Sequence, residues 1–403
     1  MALRAPKPGG TGPTTGNSRP ARAARQALAA AVQWDIAGAD LQELCQLAGS
    51  RQVATLALDQ GVAGWVHDRI VPFLGPVDAA RLTERSRTEA IRHIGYLRYL
   101  DTYAKALDAA GASWAVLKGP VLTELTYDGT PRGYSDIDIL VAPRHFQLAV
   151  AALASAGLSL YHSNWPLLTG SARGQLTLAR NGAPLVDLHW HTMYKRSARE
   201  HFQVPTEEIL ERRRSVDLGS TKAWTLETVD FTLHVALHAA LSGGHRLRWL
   251  VDVQRCAARV DLDWDELVTR CLSWKAGLPV AVAFERARRC TGAGVPKEVV
   301  ETLAGSSGRR ALVRSLSGWS PGGYLPRARS AKTSLTRSLR PTWSATAGAF
   351  AAEVAMGLRE LVQPGLPEQS RARLARHCGG QQGFDAYIRM VQSADRFGHL
   401  PPS

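Results

Sequence analysis

Hydrophobic and polar positions change period along this chain, and the changes predict its elements. From Ala21 to about Ala110, apolar residues recur at spacings of three and four, most clearly at Ile91, Ile94 and Leu97 through Leu107, which predicts helices. Asp40 with Glu43 has the form of a capping box opening one of them. After Gly111 the period becomes two. Trp114 to Leu117 predicts a short buried strand, Lys118-Gly119-Pro120 a turn, and Val121 to Tyr127 a helix opened by proline. Ser135 to Val141 alternates strictly, with Asp136 and Asp138 on one face and Ile137, Ile139 and Val141 on the other. Residues 144–156 read as a helix, and Leu158–Tyr161 and Gln175–Ala179 as strands. Leu185 to His191 alternates again, placing Asp187, His189 and His191 on one side. Helical period returns from Leu226, over Phe231–Leu241, Arg246–Ala258, Trp264–Trp274 and Pro279–Arg289, with Gly, Pro or Asp breaks between them. A weakly amphipathic helix over 344–362 and a last helical segment ending near Gln392 complete the pattern.

These transitions divide the 403 residues into six segments. Residues 1–20 carry too little apolar surface to offset ordering and are expected to be a disordered tail. A helical N-terminal lobe follows over 21–111, an α/β domain over 112–225 and a helical lobe over 226–304. An Arg- and Ser-rich stretch, 305–343, is expected to be a basic linker, and 344–403 C-terminal helices. The expected fold class is α+β, a small mixed β-sheet flanked by helical N- and C-terminal lobes.

Composition narrows the picture. A chain of this length builds a core without a metal or disulfide staple. Its five cysteines, Cys45, Cys256, Cys271, Cys290 and Cys378, are scattered singly, which suits a reducing compartment and argues against a cysteine zinc site. There is no apolar run of about 18 residues, so a cytoplasmic protein without a membrane span is expected. The net charge of +14 raises the question of nucleic acid. Residues 1–34 hold five basic side chains and no acid, and residues 302–352 hold eight and no acid, so the rest is nearly neutral. Solvated tails and linkers account for that distribution, and nucleic acid is not the favoured partner.

The chemistry lies on the alternating strands. Two carboxylates two residues apart on one strand face stand about 6.6 Å apart along the backbone, close enough for their side chains to converge on metal ions about 3.5–4 Å apart. Asp136 and Asp138 meet that requirement. Phosphoryl groups in transfer need their developing charge neutralised, and magnesium takes carboxylates together with substrate phosphates. Asp187, on its own strand, can complete the set or accept the proton of an attacking hydroxyl. The Gly119 turn offers backbone N–H groups to a triphosphate, with Lys118 and Arg132 as counter-charges. Lys118 can equally pair with one of the neighbouring aspartates. His189 and His191 form an H-x-H that suits support of a magnesium site better than a zinc centre. His234 and His238 lack the glutamate of a metalloprotease H-E-x-x-H and are expected in the core. Arg248 and Asp252, one turn apart, are expected as a helix-surface ion pair.

The residues 114–141, WAVLKGPVLTELTYDGTPRGYSDIDILV, followed by VDLHWH at 186–191, resemble the bacterial nucleotidyltransferase-like family of the polymerase-beta-like superfamily. The matching positions are Leu117-Lys118-Gly119, Tyr127, Arg132, Ser135, Asp136, Asp138, Leu140, Val141, Asp187, His189 and Trp190, with weaker similarity at 234–238 and 246–252. The resemblance implies a nucleotidyltransferase core whose strands carry the acids, with a helix behind the glycine loop. It implies two Mg2+ ions at Asp136, Asp138 and Asp187. Nucleotide binding is implied at Lys118, Gly119, Arg132, Ser135 and His189. The expected reaction is nucleotidyl transfer from a nucleoside triphosphate, ATP among the four, to a hydroxyl of a small molecule or peptide. The alternatives are an RNA-directed nucleotidyltransferase and a non-catalytic nucleotide-binding or scaffold module. One departure is that the superfamily's Gly-Ser or Gly-Gly pair is replaced by Lys118-Gly119-Pro120.

Overall fold

Alternation of apolar residues with aspartates makes two short segments the natural centre of a sheet, since one face can enter a core while the other stays polar. The computed structural model describes residues 19–33, 38–292, 294–317, 330–362 and 377–401. Its strands are β1 (Trp114–Val116), β2 (Asp136–Val141), β3 (Ser159–Leu160), β4 (Ser163–Asn164), β5 (Gln175–Ala179), β6 (Leu185–His189), β7 (Arg214–Leu218), β8 (Thr221–Thr225) and β9 (His377–Cys378). Seven of them form one mixed sheet in the order β3-β5-β6-β2-β1-β8-β7, and β4 pairs with β9 separately. β2 runs parallel to β6 and antiparallel to β1, and β1 runs parallel to β8. Asp138 of β2 lies opposite Asp187 of β6, while Ile137 and Ile139 lie opposite Val186 and Leu188. All four apolar residues are fully buried, so the register is fixed by the core they enter. The fold class is α+β, as the sequence pattern led us to expect.

Helices cover the sheet. A 34-residue helix, Pro76–Ala109, packs Leu100, Tyr103 and Leu107 into the sheet's core. Its face differs from expectation: Ile91 and Ile94 are 60% and 57% exposed, and Glu89 and His93, one turn from each other, are the buried positions beside them. That part of the helix looks onto a polar loop rather than the core, so its inward residues are polar. Asp40 likewise lies inside the first turn of the helix Gly38–Ala48 rather than before it. The N-terminal helices form a second core with Tyr127 and with Leu247, Leu250 and Val251 of the helix Leu247–Ala257. The helix Thr228–Leu241, capped by the Glu227 carboxylate accepting from Val229 N and Asp230 N, is buried on almost every side.

Within 305–343 the chain forms helices Ser307–Leu316 and Ala331–Arg337, which bury Val313, Leu316, Thr333 and Thr336. Residues 318–329 of that stretch, and residues 1–18 of the expected tail, lie outside the described residues. Among the described residues no helix is long and apolar enough to cross a membrane.

Candidate active site

Asp138 is the most enclosed of the three expected acids, 3% exposed. Its Oδ1 accepts from Lys118 Nζ at 2.7 Å and lies 3.2 Å from His189 Nε2. Burial alone would push this carboxyl up. The Lys118 ammonium and the His189 hydrogen bond overturn that and hold it well below the usual carboxylate range. Across the parallel pairing, Asp187 Oδ1 accepts from Thr177 Oγ1 of β5 at 2.7 Å, which fixes that carboxylate's orientation. Ligating atoms of Asp138, Asp187 and His189 lie within 4.8 Å of one another, the one such acidic and imidazole group among the described residues. Asp136, two residues back on the same strand face, stands outside that set. Burial, then the Asp138 charge, pushes the Asp136 carboxyl up against the pull of Lys118, and Asp187 adds to the rise.

The donor set fits a divalent cation. Asp138 Oδ2 and His189 Nδ1 are buried without a hydrogen-bond partner, although such groups are costly to leave unmade. Asp136, Asp138 and Asp187 have Lys118 as their one ion-paired cation among the described residues, with Arg248 acting on Asp136 from farther away, and a divalent cation would offset the negative charge that remains. Carboxylate oxygens suit magnesium or manganese.

The loop that delivers Asp136 is gripped from three helices. Arg132, 7% exposed, donates from Nε and Nη2 to the two Asp252 oxygens, each at 2.7 Å, and Tyr127 Oη donates to Asp252 Oδ1 at 2.6 Å. Glu89 lies under Gly133, where an added Cβ would stand 2.3 Å from its Oε1. Gly133 O accepts from Arg248 Nη1 at 2.9 Å. His93 shares hydrogen bonds with Tyr134 Oη at 2.7 Å and Glu124 at 2.5 Å. The Tyr134 ring then packs on Gly119, whose φ of +64° and ψ of −106° suit glycine alone. Gly119 therefore does close-packing work next to β2, before the seven-residue helix Pro120–Thr126.

His234 and His238 approach the acids from the helix Thr228–Leu241, rather than serving the core alone. Burial, then the Lys118 charge, holds His234 down at about 3 and His238 well below the usual imidazole value. His234 Nε2 is buried without a partner. A cavity of about 520 Å³ elsewhere, lined by Gln203, Arg212, Arg270, Trp274 and Phe397 among others, includes none of these residues.

The structure thus brings Asp138, Asp187, His189 and Lys118 together, with Asp136 on the same face and Gly119 beside the strand. Ser135 is exposed next to Asp136. Arg132 is engaged with Asp252, and Arg248 forms no pair with Asp252. His191 is turned into the C-terminal segment, where an added Cβ on Gly398 would meet its ring at 2.4 Å. Glu89, His93 and His234 were not readable as site neighbours, because each comes from a distant part of the chain; Thr177 lies ten residues from Asp187 and meets it only through the β5–β6 register. Compared with known proteins, residues 40–292 match a family model described as uncharacterised nucleotidyltransferase. No curated protein and no solved structure matches the chain.

Proposed function

The chain belongs to the uncharacterised nucleotidyltransferase family, and from that membership we propose that it transfers a nucleotidyl group from a nucleoside triphosphate to a hydroxyl of a small molecule or peptide. The observation that carries this reading is the cross-strand meeting of Asp138 with Asp187, supported by His189 and Lys118. Asp136, Asp138 and Asp187 would hold two Mg2+ ions, which when bound neutralise charge on the phosphates. His189 and Lys118 keep Asp138 ionised and in place. Asp187, oriented by Thr177, takes the proton of the acceptor hydroxyl. The acceptor oxygen then bonds to the α-phosphorus, the bond from that phosphorus to the bridging oxygen breaks, and pyrophosphate leaves with the electron pair.

The test is incubation of the purified chain with Mg2+, each of ATP, GTP, CTP and UTP, and pools of hydroxyl-bearing small molecules and peptides. Products are read by mass spectrometry and pyrophosphate by a coupled assay. The expected result is one acceptor gaining a nucleoside monophosphate with stoichiometric pyrophosphate. A gain of a single phosphoryl group would redefine the reaction as phosphotransfer. No product, with no thermal stabilisation by any Mg-nucleotide, would leave a scaffold role; a bound ligand at 100 times its dissociation constant adds about 2.7 kcal/mol. Asp187→Asn should keep Mg-nucleotide binding while losing about a hundredfold or more in transfer rate. Equal loss of binding and rate would make Asp187 a metal ligand first.

A further inference from the structure

Three cations, Lys118, Arg132 and Arg248, lie along β2 and the loop that leads into it, and two of them are already matched. Lys118 is held by Asp138 and Arg132 by both oxygens of Asp252. The third, Arg248, opens the helix Leu247–Ala257 and stays half-buried. It reaches the loop that leads into Asp136, three residues before that carboxylate. Yet it has no carboxylate partner within 4 Å among the described residues; Nη1 donates to Gly133 O at 2.9 Å, and Nε is buried without a partner. Burial, then the like charge of Arg132, holds its own ionisation below the usual guanidinium value. The side-chain stem runs beside Gly61, where an added Cβ would stand 3.4 Å from Arg248 Cδ.

A half-buried guanidinium with an unpartnered Nε and no carboxylate within 4 Å, the Asp252 and Glu89 charges reaching it only from farther off, has hydrogen-bonding capacity that an anion would complete. Its planar fork matches two oxygens of a phosphate. Lys118 is already engaged, its Nζ donating to Asp138 Oδ1 at 2.7 Å. We propose that Arg248 binds the phosphate chain of the nucleotide, taking the place that the hydroxyl or amides of a Gly-Ser loop hold in other superfamily members. This rests on the nucleotidyl-transfer reading above and goes beyond it by naming the phosphate ligand. The departure at Lys118-Gly119-Pro120 then has a compensating residue about 130 positions later.

The experiment compares wild type, Arg248→Gln and Arg248→Lys in titrations with inorganic tripolyphosphate and with each Mg-nucleotide, alongside melting curves without ligand. Wild type is expected to bind tripolyphosphate, and Arg248→Gln to bind it about tenfold to a hundredfold more weakly, the range for a lost charge-assisted contact. Arg248→Gln also removes the bond to Gly133 O, so the ligand-free melting curves serve to establish that each variant is folded before its affinity is read. Arg248→Lys keeps the charge but loses the fork, and should fall between the two; it also serves if the glutamine variant folds poorly. Equal affinity of all three proteins for tripolyphosphate overturns the proposal, as does failure of wild type to bind it. If Arg248→Gln loses tripolyphosphate binding but no nucleotide is ever turned over, the anion site stands and the nucleotidyl-transfer reading falls. If turnover is present and its nucleotide KM is unchanged in Arg248→Gln, the reading stands and the Arg248 assignment falls.

Discussion

Asp136 and Asp138 are chemically identical and two residues apart, yet their surroundings push them in opposite directions. For Asp138, the folded-state value lies below the unfolded one, so its charge stabilises the fold above the ordinary carboxylate range, and that contribution is lost as pH falls through it. For Asp136, the folded-state value is raised, so at neutral pH its charge works against the metal-free fold. Neutralising each therefore has opposite consequences. Asp138→Asn leaves the Lys118 ammonium without its partner and should lower stability by about 1–3 kcal/mol. Asp136→Asn relieves repulsion and should leave the melting temperature unchanged or raise it. Both should lose about a hundredfold or more of transfer activity if the two carboxylates hold the metals. Melting curves in EDTA, paired with the product assay, check this. The opposite order of stabilities would show that the charge pattern around β2 has been misread, and near-normal activity of either variant would remove that residue from the metal site.

The element that matters most for the site is the loop 130–135, because it sets where β2 begins. Its grip depends on residues far apart in sequence, with Arg132 and Asp252 separated by 120 positions. Such pairings leave no periodic signal. The strands themselves were legible: period-two alternation marked β2 and β6, and proline after Gly119 marked the helix behind the turn. The hairpin β7–β8 escaped, although Val216 and Leu218 alternate before a two-residue Gly219-Ser220 connection. Its charged outward residues hid the pattern. Ile91 and Ile94 misled in the other direction, since apolar spacing marks a helix but does not say which face meets a polar loop. Arg132 was expected at the nucleotide, and its geometry gives a way to separate ligand from clamp. Lysine cannot reproduce a bidentate contact, so Arg132→Lys should lower stability by about 1–3 kcal/mol and reduce kcat through a loosened loop. A raised nucleotide KM with unchanged melting temperature would instead make Arg132 a nucleotide ligand.

At the scale of the whole molecule, part of the basic excess is internal. Arg199, Arg286 and Arg340 are buried and donate mainly to carbonyls, Arg286 to Gly243 and Leu316, Arg340 to Ser197, Arg337 and Leu339. Burial holds all three down at about 10, so they stay charged at neutral pH while tying separate segments together. Some of the arginine-rich stretch is thus structural, which weakens the case for an RNA partner built on charge alone. Buried histidines add a second global property. His191 and His234 are both held at about 3 by burial first, with the like charges of Arg199 and Lys118 next. In the unfolded chain they titrate near 6.5. A histidine whose folded value is depressed stabilises the fold fully above the unfolded value, and the contribution disappears as pH falls toward the folded one. The window runs from about 6.5 down to about 3, and its upper part, above about pH 5, lies clear of the range where ordinary carboxylates titrate. Each of these two imidazoles should therefore contribute a fall of about 2 kcal/mol in stability between pH 7 and pH 5 on urea unfolding in EDTA, with His238 and His245 adding to it and the raised carboxyls of Asp136 and Glu89 opposing it. His191→Gln retains an acceptor for Met193 N, which bonds His191 Nδ1 at 3.0 Å, and removes one titrating group. Its stability should decline less steeply over the same interval, whatever its value at pH 7. A slope equal to that of wild type would mean that His191 is already protonated in the fold, or is not the group that titrates.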